Sequence, residues 1–441
     1  MLIHGASRAL PLLCLITIAA CGSPAKIPAP DVTAAVRTAV DAKAPSFALA
    51  DDGERGHQLW REEQRFYKQN GYRLVWSDGK RPRSQADGLI RALRAAGENG
   101  LEPSDYHVDE LDAVRKAPLT PEQAIDFDLR ATGAYLRYAW DLSRGTIDPE
   151  DIDPQWHAAA RNVDLHNTLA SAVGENRIGD SIGKLAPSSP QYLGLKSQLA
   201  KARAGGDLDA AHQIAMNMER WRWLPDDLGA RYLLVNIPAF RLDAIEDGRS
   251  VLDMKVVTGK KDSPTPVLVD RMTTVVFSPY WNIPDDIVEN EILPKVAQDA
   301  SYLEKNHIEV ADESGRYRQR PGPGNSLGQV KFLFQNHYNV YLHDTPAQAL
   351  FDRVERDFSH GCVRLDRPAD LAKYLLRDQA EWTDTKIAEA MEAGEERSVA
   401  LKQGVPIYLV HFTVWEENGA LKRVDDVYGY DRRLAAAENT Q

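Results

Sequence analysis

The feature that most constrains the fold is a change of hydrophobic period near Ala204-Gly205-Gly206-Asp207. Ahead of it, from about Leu59 to Arg203, apolar residues recur at helical intervals. Past Trp221-Arg222-Trp223-Leu224-Pro225 they gather into short runs rich in Val, Leu and Ile, the pattern of strands. A chain that switches period once folds as a helical unit followed by a strand-rich unit, an α+β multidomain arrangement. At 441 residues there is room for two or three domains.

In the helical half, Ser84 and Asp87 have capping-box spacing ahead of Ala86, Leu89, Ile90, Leu93 and Ala96, and Gly97 or Gly100 ends the run. A second helix is predicted from Thr120 as cap, through Pro121 in the first turn, to Gly145. Its residues Ile125, Leu129, Tyr135, Leu136, Ala139 and Leu142 make a broad buried face. His107, His157 and His166 are scattered, which suits structural or exposed roles better than catalysis. A short helix through Ile214 and Met218 leads into the strands. These are predicted at Arg231 to Ile237, Ala239 to Ile245, Val251 to Thr258, Thr273 to Phe277, Val330 to Phe334, Val340 to Leu342 and Val405 to Val414, with turns at Gly248 and Gly259. A charged helical insertion interrupts them from Asp286 to about Val310, and helices are predicted at Ala369 to Arg377 and Lys386 to Glu392.

The strand-rich half holds one cysteine, Cys362, in Ser359-His360-Gly361-Cys362-Val363-Arg364. The other two cysteines lie in the first 21 residues. A lone thiol forms no intramolecular disulfide, and its flanks are too polar for a core strand, which points to nucleophilic catalysis. A nucleophilic thiol needs a base, and His343, at the end of Val340 to Leu342, is the candidate. Taken alone, a histidine there is more often structural. Backbone N–H groups of His360, Gly361 and Cys362 are candidates for an oxyanion hole, each donor worth about 3 kcal/mol. His360 either tunes the thiol or is structural. Arg364 either binds a substrate carboxylate or pairs with an acid such as Asp366.

His343 followed by Ser359-His360-Gly361-Cys362 resembles the signature of the L,D-transpeptidase catalytic domain of the YkuD type. Asn217-Met218-Glu219-Arg220-Trp221-Arg222-Trp223-Leu224-Pro225, Pro279-Tyr280-Trp281-Asn282-Ile283-Pro284, Tyr341-Leu342-His343-Asp344-Thr345-Pro346 and Asp426-Val427-Tyr428-Gly429-Tyr430-Asp431 resemble its large periplasmic branch. Phe66-Tyr67 and the Gly100-Leu101-Glu102-Pro103 to Tyr106-His107 stretch resemble that branch's helical scaffold. The resemblance implies a mostly β, sandwich-like catalytic domain over 231–431, with a capping insertion over 285–321, a scaffold over 57–203, a linker helix over 204–230 and a tail over 432–441. It implies Cys362 as nucleophile, His343 as general base, and His360 and Gly361 at the oxyanion hole. Ser359, Arg364, Tyr341 and Trp281 would meet the substrate, though packing roles suit Tyr341 and Trp281 equally. The implied substrate is a peptidoglycan tetrapeptide stem, and the implied product is a 3→3 diaminopimelate crosslink with release of D-Ala. Carbapenems would acylate the cysteine. No metal or cofactor is implied, and the expected state is a monomer.

Other acceptors fit the same thioester. Water would make a carboxypeptidase or a hydrolase of wall-linked protein, a lipoprotein amine a protein-to-wall linker, and a free D-amino acid an exchange enzyme. A reading of another class is a catalytically silent wall-binding lipoprotein. Relatives in this branch often carry a small wall-binding module before Asn217, and the stretch from Lys201 to Gln213 is too short for one.

Residues 1–20 are apolar from Ala9 to Ala20 and too short for a comfortable membrane span. Ile18-Ala19-Ala20-Cys21 resembles a bacterial lipobox, with Cys21 as the lipid-bearing residue; an ordinary secretory signal is the alternative. Gly22, not Asp, follows Cys21, which implies the inner face of a Gram-negative outer membrane. Residues 21–56, rich in Ala, Pro, Ser and Asp, read as a tether. The formal charge of -12 argues against nucleic acid as a partner, and no zinc motif occurs.

Overall fold

The computed structural model describes residues 32–42, 53–156, 161–311 and 315–438. Cys21, the signal, most of the tether and His157 lie outside them. Among the described residues no helix is long and apolar enough to cross a membrane.

The helical half is built around the helix Pro121–Arg144. Thr120 Oγ1 accepts from the Gln123 backbone N–H and the Gln123 side chain accepts from the Thr120 N–H, a complete capping box. Gly145, at φ +89°, releases the chain. The helix is buried on most of its faces, which places Asp128 in the interior. Asp128 is tolerated because it accepts from the N–H groups of Val75 and Trp76, each at 2.9 Å, and from the Tyr67 hydroxyl at 2.9 Å. The helix Ser84–Arg94 departs from expectation at its start. Ser84 is its first residue and caps nothing, while Asp87 pairs with Arg115 at 2.8 Å. Gly100, in the left-handed region at φ +72°, ends the following 3₁₀ turn.

The helix Leu208–Arg222 joins the halves, capped by Asp207. Its polar residues are buried and face both ways. Glu219 accepts from the Thr146 and Ile147 N–H groups and pairs with Arg222 Nη1 at 2.5 Å. Arg222 also donates to the Asn99 carbonyl in the helical half. On the other side, Asn217 exchanges hydrogen bonds with Thr413, and Arg220 pairs with Asp431 at 2.6 Å.

The strands in chain order are β1 Arg231–Asn236, β2 Arg241–Glu246, β3 Arg249–Gly259, β4 Leu268–Phe277, β5 Trp281–Asn282, β6 Ile308–Val310, β7 Tyr317–Gln319, β8 Val330–Phe334, β9 Leu342–His343, β10 Asp357–Ser359, β11 Val363–Leu365, β12 Arg397–Val410, β13 Val414–Glu417 and β14 Ala420–Arg423. Nine of them form one sheet, in the order β10-β3-β11-β9-β8-β4-β12-β1-β2. β2 pairs back onto β3, so the layers of the sandwich-like domain are continuous around a ring. β3 makes this possible by length: its first part pairs with β2, Val256 and Val257 pair with β11, and its last residues pair with β10. Inside lie Leu233, Val256, Phe277, Phe332, Leu342 and Val363, all fully buried. The strand ending at His343 is shorter than predicted, because Val340 lies in a loop held by the Asn336 side chain. Gly259 is not a turn residue. It ends β3, and a Cβ there would meet the Ser263 carbonyl oxygen at 2.2 Å and the Thr265 nitrogen at 2.6 Å.

The insertion after β4 folds separately as a three-stranded sheet, β5-β7-β6, with short helical turns. Its own small core is Ile283, Ile287, Val288, Ile292 and Ile308, with Trp281 packed against it.

Candidate active site

β9 and β11 are parallel neighbours, with Val363 opposite Leu342 and Arg364 opposite His343. Leu342, Val363 and Leu365 point into the core. Side chains alternate along a strand, so Tyr341, His343, Cys362 and Arg364 project together from the other face. The Val363 N–H donates to the Tyr341 carbonyl at 3.1 Å and holds this register up to the cysteine.

Cys362 is partly exposed. The Tyr341 hydroxyl and backbone N–H both hydrogen-bond the sulfur, and Sγ lies 3.8 Å from the Asn339 carbonyl. Burial pushes the thiol up to about 11 despite those donors and the nearby Arg364 charge. His343 is 4% exposed, with Nδ1 2.5 Å from the Asp344 carbonyl oxygen and the Leu327 carbonyl also within reach of the ring. Burial, then the Arg364 charge, hold the imidazole down at about 3. No hydrogen bond joins His343 to Cys362 among the described residues. Arg364 lies beside both, its own pKa lowered by burial. It makes no ion pair among the described residues, and its buried Nε has no partner. The expected alternative, pairing with Asp366, is absent.

The turn before Cys362 is tightly fixed. Gly361 sits at φ +107°, a conformation that side chains disfavour. Ser359 is 1% exposed and spends its hydroxyl on the turn, donating to the Cys362 carbonyl at 2.5 Å and accepting the Gly361 N–H at 3.1 Å. Ser359 therefore shapes the turn and does not face substrate. The Gly361 N–H is spent as well and is not a free oxyanion donor. His360 points away, its Nε2 lying 2.9 Å from Glu291 of the insertion and 3.4 Å from Lys260 Nζ. Trp281 belongs to the core of the insertion.

Sequence reasoning missed Lys331, the cross-strand neighbour of His343, and Thr265, whose hydroxyl donates to the Gly361 carbonyl at 2.8 Å. Lys331 stands in a predicted strand and register would have found it. Thr265 lies in a Ser-Pro-Thr-Pro loop that carries no such signal. Among the described residues the one cluster suited to a metal is Glu62, Asp164 and His166, on the helical half.

Residues 61–199 match the Scaffold domain model and residues 230–387 the L,D-transpeptidase catalytic domain model, YkuD. A Haemophilus influenzae protein named "Putative L,D-transpeptidase" is 27% identical over 404 residues, 85% of this chain and 79% of its own. Among solved structures, an L,D-transpeptidase from Mycobacterium smegmatis aligns at TM-score 0.23 and 16% identity over 41% of this chain and 58% of its own. L,D-transpeptidase 1 from Mycobacterium tuberculosis aligns at TM-score 0.20 and 15% identity, over 41% and 61%. The chain thus spans less than two thirds of these solved relatives, and TM-scores this low leave the assignment to the sequence matches. Those matches give the chain a Scaffold domain on its helical half and a YkuD-type L,D-transpeptidase catalytic domain on the ring that carries Cys362.

Proposed function

We propose that Cys362 is the nucleophile of an L,D-transpeptidase that acts on peptidoglycan tetrapeptide stems and forms 3→3 crosslinks. The observation that supports this most is the shared face of Tyr341, His343, Cys362 and Arg364 on two adjacent strands. The thiol attacks the amide between diaminopimelate and the terminal D-Ala. Its proton passes to His343, whose Nδ1–H is spent on the Asp344 carbonyl, so Nε2 carries the free lone pair. The C–N bond breaks, the departing D-Ala amine takes the proton, and an acyl thioester remains. The side-chain amine of a second diaminopimelate then attacks the thioester, an amide forms and the thiol returns.

Both groups are neutral at rest, since the thiol sits high and the imidazole low. The thiolate therefore forms during attack and not before it. Arg364 explains how substrate starts the reaction. Arg364 is half-buried with its Nε unpartnered, and the stem's terminal carboxylate supplies the counter-charge it lacks. Neutralising Arg364 removes a charge that depresses His343, so the docked substrate makes its own base stronger. Catalytic hydrogen bonds that are loose in the free enzyme commonly tighten in the complex, which is when Nε2 reaches the sulfur.

We also propose a lipid on Cys21, placing the enzyme in the periplasm at the outer membrane; radiolabelled palmitate incorporation that survives Cys21→Ser would exclude it. The test of the activity is incubation with disaccharide-tetrapeptides and mass spectrometry beside a Cys362→Ala control. A Cys362-dependent dimer lacking one D-Ala is expected. A Cys362-dependent tripeptide alone would mean that water is the acceptor, and no Cys362-dependent product would sink the reading.

A further inference from the structure

We propose that Thr265 is a positioning residue that aims the Cys362 backbone N–H at the oxyanion; this rests on the reading of Cys362 as an acylated nucleophile. The Gly361 N–H is taken by Ser359 and the His360 ring faces the insertion, which leaves the backbone N–H groups of His360 and Cys362 as the turn's candidate donors. The Cys362 N–H donates no hydrogen bond among the described residues, and it sits on the attacking residue itself.

The direction of that N–H is set by one side chain. A trans peptide plane holds its C=O and N–H antiparallel, and no cis bond occurs here. Thr265 is fully buried, and its hydroxyl donates to the Gly361 carbonyl at 2.8 Å while accepting the Gly259 N–H at 2.8 Å. With the carbonyl tied toward β3, the N–H of the same peptide points the opposite way. Ser359 fixes the next carbonyl, that of Cys362, so the donor is held from both ends.

Thr265 is itself clamped. Its N–H donates to the Tyr428 hydroxyl at 3.1 Å, and that hydroxyl donates to the Gly259 carbonyl at 2.7 Å. Only glycine at 259 lets this loop approach so closely. Two residues on, Tyr430 donates to Asp153 of the helical half at 2.9 Å. Asp426 braces the segment by accepting from the Gly429 and Asp431 N–H groups at 3.0 and 2.8 Å. The C-terminal Tyr-Gly-Tyr stretch thus holds the loop that holds the nucleophile turn.

The experiment compares two reactions of the same thiol. With imipenem, the sulfur adds to the lactam carbonyl, the C–N bond opens and the thiol proton ends on the lactam nitrogen, so charge develops on oxygen. With iodoacetamide, sulfur displaces iodide and no oxyanion forms. Thr265→Val should slow acylation about 10- to 100-fold while alkylation stays within about twofold, because only the first reaction uses the donor. Thr265→Ser, which keeps the hydroxyl, should recover most of the rate, and Tyr428→Phe should fall between. Unchanged acylation in Thr265→Val, an equal loss of both reactions, or no recovery in Thr265→Ser overturns the proposal. A wild-type thiol that imipenem leaves unmodified overturns the parent reading together with this one.

Discussion

The Leu208–Arg222 helix and the β9–β11 site both bury charge, and they handle it in opposite ways. On the helix each buried arginine has an acid: Arg222 has Glu219, and Arg220 has Asp431. Glu219 further accepts from two N–H groups of the helical half. At the site, Arg364 has no acid, His343 is forced neutral and the thiol is forced protonated. The first arrangement is closed and joins two domains. The second is open on the polar side, and a ligand can complete it. Buried polar groups that satisfy one another report on the fold, whereas those left unsatisfied report on a missing partner.

The comparison breaks most sharply at its two centres. Cys362→Ala should abolish transpeptidation while moving the unfolding midpoint little, since the sulfur is only a weak acceptor for its two Tyr341 donors. Glu219→Ala should do the reverse. It leaves the Arg222 charge buried and uncompensated, at a cost of about 3–5 kcal/mol, enough to lose much of the folded protein. Urea denaturation beside activity separates the two. A Glu219→Ala protein as stable as wild type would mean that the helix is no rivet.

Arg364→Met tests the middle of the contrast. Removing a half-buried charge that has no acid beside it should change stability by no more than about 1 kcal/mol. Catalytic efficiency should fall by about 100-fold, and Arg364→Lys should recover little of it, since a point charge does not replace a bidentate fork. If Arg364→Met unfolds the protein, the guanidinium has a structural partner and the contrast fails.

The acid side gives a smaller effect with a definite sign. His343 is held at about 3 in the fold against 6.5 ordinarily. Below about 6.5 the unfolded chain gains a proton that the folded chain refuses, so stability falls as pH drops toward 3, by up to about 1.4 kcal/mol per pH unit for this one group. His411, buried against Asp426, adds a loss of the same sign. Denaturation at pH 7 and pH 5 should therefore show a larger loss in wild type than in His343→Asn. Over the same range kcat/KM should show no fall near 6.5 from protonation of the base. A fall there would mean that the imidazole is solvated and not depressed.

How far the sequence could be read follows the same division. The Pro121–Arg144 helix was legible because cap, first-turn proline and terminal glycine all act locally. Ser84 misled because capping-box spacing fixes no register, and the helix began at Ser84 itself. The residues at Cys362 and His343 stood out, since a short polar stretch in a run of strands is unusual. Their surroundings did not. The Ser359 hydroxyl turned inward, and Thr265 reached Gly361 across 96 positions, because β3 and β10 are neighbours only in three dimensions. Nor does any sequence pattern show that Arg364 lacks an acid, when Asp366 stands two residues away.

The smallest expected effect sharpens the contrast from the closed side. Thr120→Ala removes one half of a capping box at an exposed helix end in the helical half. It should cost about 1 kcal/mol of stability and nothing in kcat/KM. The Pro121–Arg144 helix also carries Asp128 and Asp141, whose partners span the helical half. If that half is only a spacer, loosening the cap leaves the reaction untouched. If instead activity falls with stability in Thr120→Ala, strain in the helix is reaching the Cys362 turn through Asp153 and Tyr430. Kinetics of Thr120→Ala measured well below its melting temperature decide between these, because the fraction folded is then the same as in wild type.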